Sequence, residues 1–288
     1  MAISARIPST LEANKFIPAI FSKNVLVALK NKLVVVPLVN HSYEKELVKG
    51  NVLYIAQSNV TEATEVVAGN EGTSGNVFDT AAITLTIDQW WERNVTIDTM
   101  STRQSHVDLK KYAEDEVAYA ISKKIDSTVC TLFSALNGGT VKGTDGSAWT
   151  ATVMRDCVEI LDKNDIDEDN RVWVGNPSVR TDILGIDLFT RSDYFAGEAI
   201  PTGQFRKNIY GAPLYITNNL AANPAVGAVG AYGCYMHRDA LAISIGDDFK
   251  PLVVEQPLKH QIIVHGEALW GVIELRDKGG VAIYTRSK

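Results

Sequence analysis

The first apolar pattern in the chain begins at Pro18. Ile20, Phe21, Val25, Leu29 and Leu33 recur at helical spacing, and a proline suits a first helical turn. The preceding residues, 1–17, mix Ser, Thr, Pro and Asn with few apolar side chains, the pattern of an extended arm outside any core. Leu33-Val34-Val35-Val36-Pro37 predicts a short strand stopped by the proline, and Val52 to Ile55 a second strand after the turn at Lys49-Gly50-Asn51. From Gln57 to Ala82 the pattern is polar, with Gly69, Gly72 and Gly75 among Thr, Asn, Ser and Glu. Ile83 to Ile87 then alternates, as does Val95-Thr96-Ile97. A polar excursion between two strands predicts a protruding β-hairpin. A lone hairpin is barely stable in water, so one this long needs a neighbour to lie on.

Ser101 to Leu136 holds neither Gly nor Pro, and Tyr112, Val117, Ile121, Ile125, Val129, Leu132 and Phe133 fall near one face. A helix of about thirty residues would span roughly 45 Å, and Asn137-Gly138-Gly139 supplies its stop. The second half alternates between periods. Trp149 to Leu161 predicts an amphipathic helix, Arg171 to Gly175 a strand, and Asn176-Pro177 the start of a helix through Leu184. Asp187 to Lys207 is a polar loop. Ile209 to Thr217 and Ala231 to His237 predict strands of a mixed α/β unit. From Pro251 the chain is mostly strand: Leu252 to Val254, Ile262 to Val264, Leu269 to Leu275 and Val281 to Tyr284.

Composition adds exclusions. With 45% hydrophobic and 22% charged residues the chain is an ordinary folding one, and its formal charge of -6 lacks the clustered cations that grip nucleic acid. Three widely spaced cysteines, Cys130, Cys157 and Cys234, exclude a disulfide framework and suit a reducing compartment. No signal-peptide pattern and no apolar run of membrane-helix length occurs, which predicts a soluble chain with no membrane role.

The residues that could carry chemistry do not assemble into a site. His41, His106, His237, His260 and His265 lack metal-ligand spacing, and His260 and His265 would face opposite sides of one strand. Asp162, Asp165, Asp167, Glu168 and Asp169 are acidic enough for a calcium loop but lack its glycine and distal glutamate, which favours a solvated turn. The Gly227, Gly230, Gly233 rhythm precedes a strand where a dinucleotide fingerprint needs a helix, so close packing or turns explain it better. No catalytic, cofactor-binding or metal residue is assigned, no cofactor is expected, and the chain is not expected to be an enzyme.

The order of elements says more than any motif. Phe16 to Phe21 leads into a helix; Leu47 to Val52, a strand and the long hairpin follow; Thr86-Ile87-Asp88-Gln89-Trp90-Trp91 runs into Val95 to Asp98; then come Gln104-Ser105, Asp108-Leu109 and the helix past Ile125-Asp126. Arg171 to Pro177, Tyr210 to Tyr215 and His237 to Ala240 continue the series. Over nearly the whole chain this order resembles the major capsid proteins of tailed bacteriophages, the Hong Kong 97 fold.

That resemblance implies an α+β subunit: an N-terminal arm (1–17), a peripheral domain with a long spine helix (18–56, 83–139 and the C-terminal strands 250–288), an extended β-hairpin loop (57–82) lying across a neighbouring subunit, and a mixed α/β axial domain (140–249). The Asp187 to Lys207 loop would point at the five-fold and quasi-six-fold axes. The implied function is self-assembly, as pentamers and hexamers, into the icosahedral shell enclosing phage double-stranded DNA without sequence-specific binding. A portal, and scaffolding or decoration proteins, would be partners, and the shell would form in the host bacterial cytoplasm and end in the virion. Cross-linked shells of this fold use a lysine in the extended loop, and Gln57 to Ala82 contains none, which predicts a shell without isopeptide bonds from that loop. The absence of a long helical N-terminal extension implies that any scaffolding is a separate protein or has been removed. Two alternatives share parts of the pattern: an encapsulin-type compartment shell, and a soluble α/β enzyme with its site in the second half.

Overall fold

A computed structural model describes residues 34–44, 51–58, 80–105, 108–186, 208–246 and 251–288. The expected arm, the helix beginning at Pro18, most of the extended loop and the Asp187 to Lys207 loop lie outside the described residues.

The predicted hairpin root is present. β1 (Val52–Ser58) and β2 (Thr80–Thr86) pair antiparallel, from Val52 opposite Thr86 to Ser58 opposite Thr80. β3 (Gln89–Asp98) follows directly. The long helix does not run unbroken from Ser101. The Asp98 carboxylate accepts from the Met100 N–H and caps α1 (Thr99–Gln104), and Ser105 is already extended. Asp108 then caps α2 (Leu109–Thr131) by accepting from the Lys111 N–H. Aspartate competes for backbone N–H groups and so begins helices better than it sits inside them. The spine is therefore 23 residues, about 34 Å at the usual rise, rather than thirty. Ala113, Val117, Ile121, Ile125 and Val129 are buried along it at every fourth position. A 3-10 turn (Leu132–Ala135) ends it, and Asn137, Gly138 and Gly139 take φ values of 55°, 63° and 74°. Asparagine and glycine tolerate that left-handed region better than other residues.

The strand expected at Leu33 to Pro37 is not one. Val36–Leu38 forms a 3-10 turn because Asp126, buried in α2, takes the N–H groups of Val35 and Val36 on one oxygen at 2.8 and 3.1 Å.

The second half follows its pattern closely. α3 (Ala151–Lys163) is capped by Thr150, and α4 (Pro177–Leu184) by Asn176 with Pro177 at its start. Between them lies β4 (Arg171–Gly175). The strand expected at Ile209 to Thr217 is two, β5 (Asn208–Ile209) and β6 (Ala212–Ile216), joined by Tyr210 and Gly211, both at positive φ. β7 (Tyr232–His237), β8 (Leu241–Ile245), β9 (Leu252–Gln256), β10 (Gln261–Glu274) and β11 (Gly280–Tyr284) complete the chain. The two expected strands at Ile262 and Leu269 are one long β10.

β10 organises one sheet, with β3 along one edge and β8 and β9 paired to it as well. The other sheet runs β11-β7-β4-β6-β5. Two strands thus join sheets away from their sequence neighbours: β8, within 140–249, pairs with β10, and β11, within 250–288, pairs with β7. The α2 stripe packs with Val264, Ala268 and Trp270 of β10 and with Val172, Val174, Cys234 and Met236 of the five-stranded sheet. The opposite face of that sheet carries Trp173, Tyr235 and Ile283 against Met154, Cys157, Leu161, Val179 and Ile183 of α3 and α4. Apolar side chains on both faces explain why Arg171-Val172-Trp173-Val174-Gly175 is buried at every position. Trp173 stacks on Tyr235 at 3.9 Å between ring centres, and its indole N–H donates to the Ile209 carbonyl at 3.0 Å.

Candidate assembly surfaces

The candidate chemical groups that the structure describes are dispersed, and several serve the fold. His41 bridges Glu44 at 2.6 Å and the Val36 carbonyl at 2.7 Å. His237 accepts from the Asp239 N–H, and His265 contacts Asn94 across the β3–β10 pair at 2.5 Å. His260 occupies a left-handed turn just before β10, at φ 51°, not the strand position expected for it. His106 lies outside the described residues. Among the described residues no three His, Cys, Asp or Glu side chains gather as metal ligands would.

All three cysteines are free and buried. Burial pushes the Cys157 thiol up to about 12 and raises Cys130 and Cys234 well above the ordinary thiol range. A thiol that does not ionise is neither nucleophile nor ligand. The acidic cluster at the end of α3 is the solvated turn expected, with Asp165, Asp167, Glu168 and Asp169 exposed, and its backbone and Asp162 hold one cation. Arg171 is buried and donates to the Asp162 carboxylate at 2.6 Å, the Asp167 carbonyl at 2.7 Å and the Ile166 carbonyl. The missing signal for that role was the arginine itself, which opens β4 and reads as an ordinary strand residue.

What the molecule does present is uncovered apolar surface. Along β10 the even-numbered residues Ile262, Val264, Ala268 and Trp270 are buried on the α2 side. The odd-numbered Ile263, His265, Glu267 and Leu269 face the other way, opposite Thr96, Asn94, Glu92 and Trp90 of β3. β9 adds Val254 and Leu252 opposite Ile263 and His265. On this face Trp90 is 72% exposed and Leu252 58% exposed, beside the partly exposed Val254 and Leu269. Trp90 is nonetheless held in place, because its indole N–H donates to Glu267 at 3.2 Å. On the α2 side of β3, the Lys124 ammonium sits 4.0 Å from the centre of the Trp91 ring.

The hairpin root meets this sheet at Gly271. A Cβ there would stand 2.2 Å from the Thr86 carbonyl oxygen, so only glycine lets the end of β2 cross β10 so closely. Tyr54, on β1, is exposed. The hairpin therefore leaves the body from a tightly specified base, with a large aromatic uncovered.

No family model matches the chain, and no curated protein does. Solved structures match over nearly their whole length. One described as Mycobacterium phage Che8 aligns with a TM-score of 0.79 at 22% identity, covering 94% of this chain and 97% of that one. The capsid structure of the cyanophage P-SCSP1u aligns at 0.74 and 15% identity, over 99% and 100%. The mature capsid of bacteriophage PhiM1 aligns at 0.72 and 13% identity, over 94% and 92%. At such identities the likeness is one of fold. The chain has the α+β, Hong Kong 97-type fold expected from the order of its elements.

Proposed function

We propose that this chain is the major capsid protein of a tailed bacteriophage, a structural subunit whose activity is self-assembly into the shell around packaged DNA. The observation that supports it best is the end-to-end match with phage capsid structures, hairpin root and spine helix included. The residue chemistry agrees with a structural role: His41, His237 and His265 make contacts within the subunit, the three thiols are buried, and Asp162 holds Arg171.

In this reading β3, β8, β9, β10 and α2 form the peripheral domain, while α3, α4 and the five-stranded sheet form the axial domain. Relative to the divisions at 140–249 and 250–288, β8 and β11 trade places. Residues 1–17 act as an arm and 57–82 as the extended loop laid on an adjacent copy, and the open face of β3, β9 and β10 is surface available to other subunits. Each contact can be weak, because every copy makes several and closure is cooperative. Burying about 1,000 Å² of mostly apolar surface would favour association by on the order of 25 kcal/mol before entropic and polar costs. A net charge of -6 per copy suits a container that must release its DNA. Pentamers and hexamers, a portal, and any scaffolding or decoration protein belong to the same proposal, as does assembly in the host cytoplasm before residence in the virion.

Negative-stain microscopy of the purified chain tests it. Closed shells or capsomer-sized rings are expected. A discrete small oligomer at high protein concentration, with no shells under any assembly condition tried, would overturn it.

A further inference from the structure

Between Lys207 and Arg238 the chain carries no Asp, Glu, Lys or Arg, although charged residues make up 22% of the whole. Part of this run lies in β5, β6 and β7, whose inward-facing residues are buried and whose neutrality needs no explanation. Asn223-Pro224-Ala225-Val226-Gly227-Ala228-Val229-Gly230 is different, because it is a surface loop. Val226 is fully exposed, at 107%, and Val229 is 58% exposed. A surface loop is ordinarily polar; this one presents two valines, three small residues and a proline.

The loop is also held in one shape. The Asp145 carboxylate accepts from the Val229 N–H at 3.0 Å, the Gly230 N–H at 3.1 Å and the Asn223 side-chain amide at 3.2 Å. Those bonds hold its carboxyl below the usual carboxylate range. Asn223 in turn accepts from the Ala225 N–H and from the Tyr232 hydroxyl, both at 3.1 Å. Gly227 turns the tip at φ 82°. Gly230 is locked beneath, since a Cβ would stand 2.2 Å from the Thr285 carbonyl oxygen. Gly146 passes under Val229, where a Cβ would come within 3.0 Å of the valine methyl. The nearest carboxylate is thus consumed by N–H donors, and the tip offers its partner only apolar atoms in a fixed arrangement, so little freedom is lost on docking.

Charge then selects the occupant. Each copy carries a formal charge of -6, so two copies repel. Near a rotation axis each residue meets its own equivalent, where any charge would face its like. A neutral, apolar, rigid tip is the surface that identical copies can bring together there. We propose that the 223–230 loop is a self-contact: it packs against another copy of this chain, and Val226 is its anchor. This rests on the shell reading above and deepens it by naming an interface.

The test compares Val226→Asp, Val226→Lys and Val226→Leu with the parent full-length chain by sedimentation and negative-stain microscopy across a concentration series. Because Val226 touches solvent alone, all four should show the same thermal unfolding as unassembled subunits. Covering one valine is worth roughly a tenfold change in association, and an unpaired charge in its place costs more. Both charged variants are therefore expected to raise the concentration needed for assembly at least about tenfold, and the leucine variant to assemble like the parent. Shells from both charged variants at the parent's threshold would overturn the assignment, even if another protein then failed to bind them. So would equal loss from the leucine variant. A parent chain that never forms shells would instead overturn the shell reading itself.

Discussion

Removing the Asp126 carboxylate should unfasten residues 34–39 from the spine helix, and the structure sets the size of the effect. Asp126 is fully buried. One oxygen receives the N–H groups of Val35 and Val36 at 2.8 and 3.1 Å, and the other receives the Asn219 amide at 2.8 Å. Asp126→Ala orphans all three donors at once. Each orphaned buried donor costs about 1–3 kcal/mol, and releasing a buried charge from desolvation returns part of the total. A net loss of roughly 3–5 kcal/mol follows, or a fall in Tm on the order of 10 °C for a chain of this size. Asp126→Asn should lose less, about 1–2 kcal/mol, because its amide oxygen can still accept from both backbone groups while its NH₂ meets that of Asn219. Thermal unfolding of unassembled subunits, followed by far-UV circular dichroism, measures both. A double-mutant cycle adds a sharper check. Asn219→Ala removes one of the donors that Asp126→Ala would orphan, so the two should be less than additive by about 1–2 kcal/mol. Additive effects, or an alanine variant that melts within about 2 °C of the parent, would refute the reasoning.

Three further outcomes are expected. Gly271→Ala places a methyl 2.2 Å from the Thr86 carbonyl oxygen and 2.9 Å from its carbon. The hairpin base must shift, which should cost at least about 1–3 kcal/mol and speed hydrogen exchange across β2. Glu274 has its carboxyl pushed up to about 7 by burial first and by the neighbouring Asp277 second. A raised folded pKa means that this group's contribution is fully present below the unfolded value of 4.5 and is lost as pH rises through about 7. The parent should therefore lose on the order of 1 kcal/mol, after allowance for solvent screening, between about pH 5 and about pH 8, and Glu274→Gln should flatten that slope in urea titrations. Because Gln57 to Ala82 contains no lysine, mature particles boiled in detergent should run as a single 31.4 kDa species, and a ladder of covalent oligomers would contradict this.

Features set by neighbours in sequence were legible before the structure. Asn176-Pro177 marks a helix start because the asparagine caps the Val179 N–H and proline needs no partner at that position. The hairpin root could be read from a short strand at Val52 to Ile55 and an alternating run at Ile83 to Ile87 around a polar stretch. The errors have long-range or side-chain causes. Val34 to Pro37 has strand composition, but a carboxylate ninety residues away curls it. Asp98 and Asp108 each begin a helix, so a stretch that apolar spacing alone would run through is two. The partners of β8 and β11, which are β10 and β7, are a matter apart from element type, and no local pattern records them. The assembly surface was hidden for a different reason. Glycine spacing at 227, 230 and 233 pointed to turns and tight packing, and both are found: a turn at Gly227, and a Gly233 whose Cβ would collide with Trp149. Nothing in the spacing distinguishes Val226, fully exposed, from Val174, fully buried. A side chain whose burial is completed by another molecule has the composition of a core residue. Only the folded subunit, with its own core already closed, shows which apolar side chains are left waiting for a second copy.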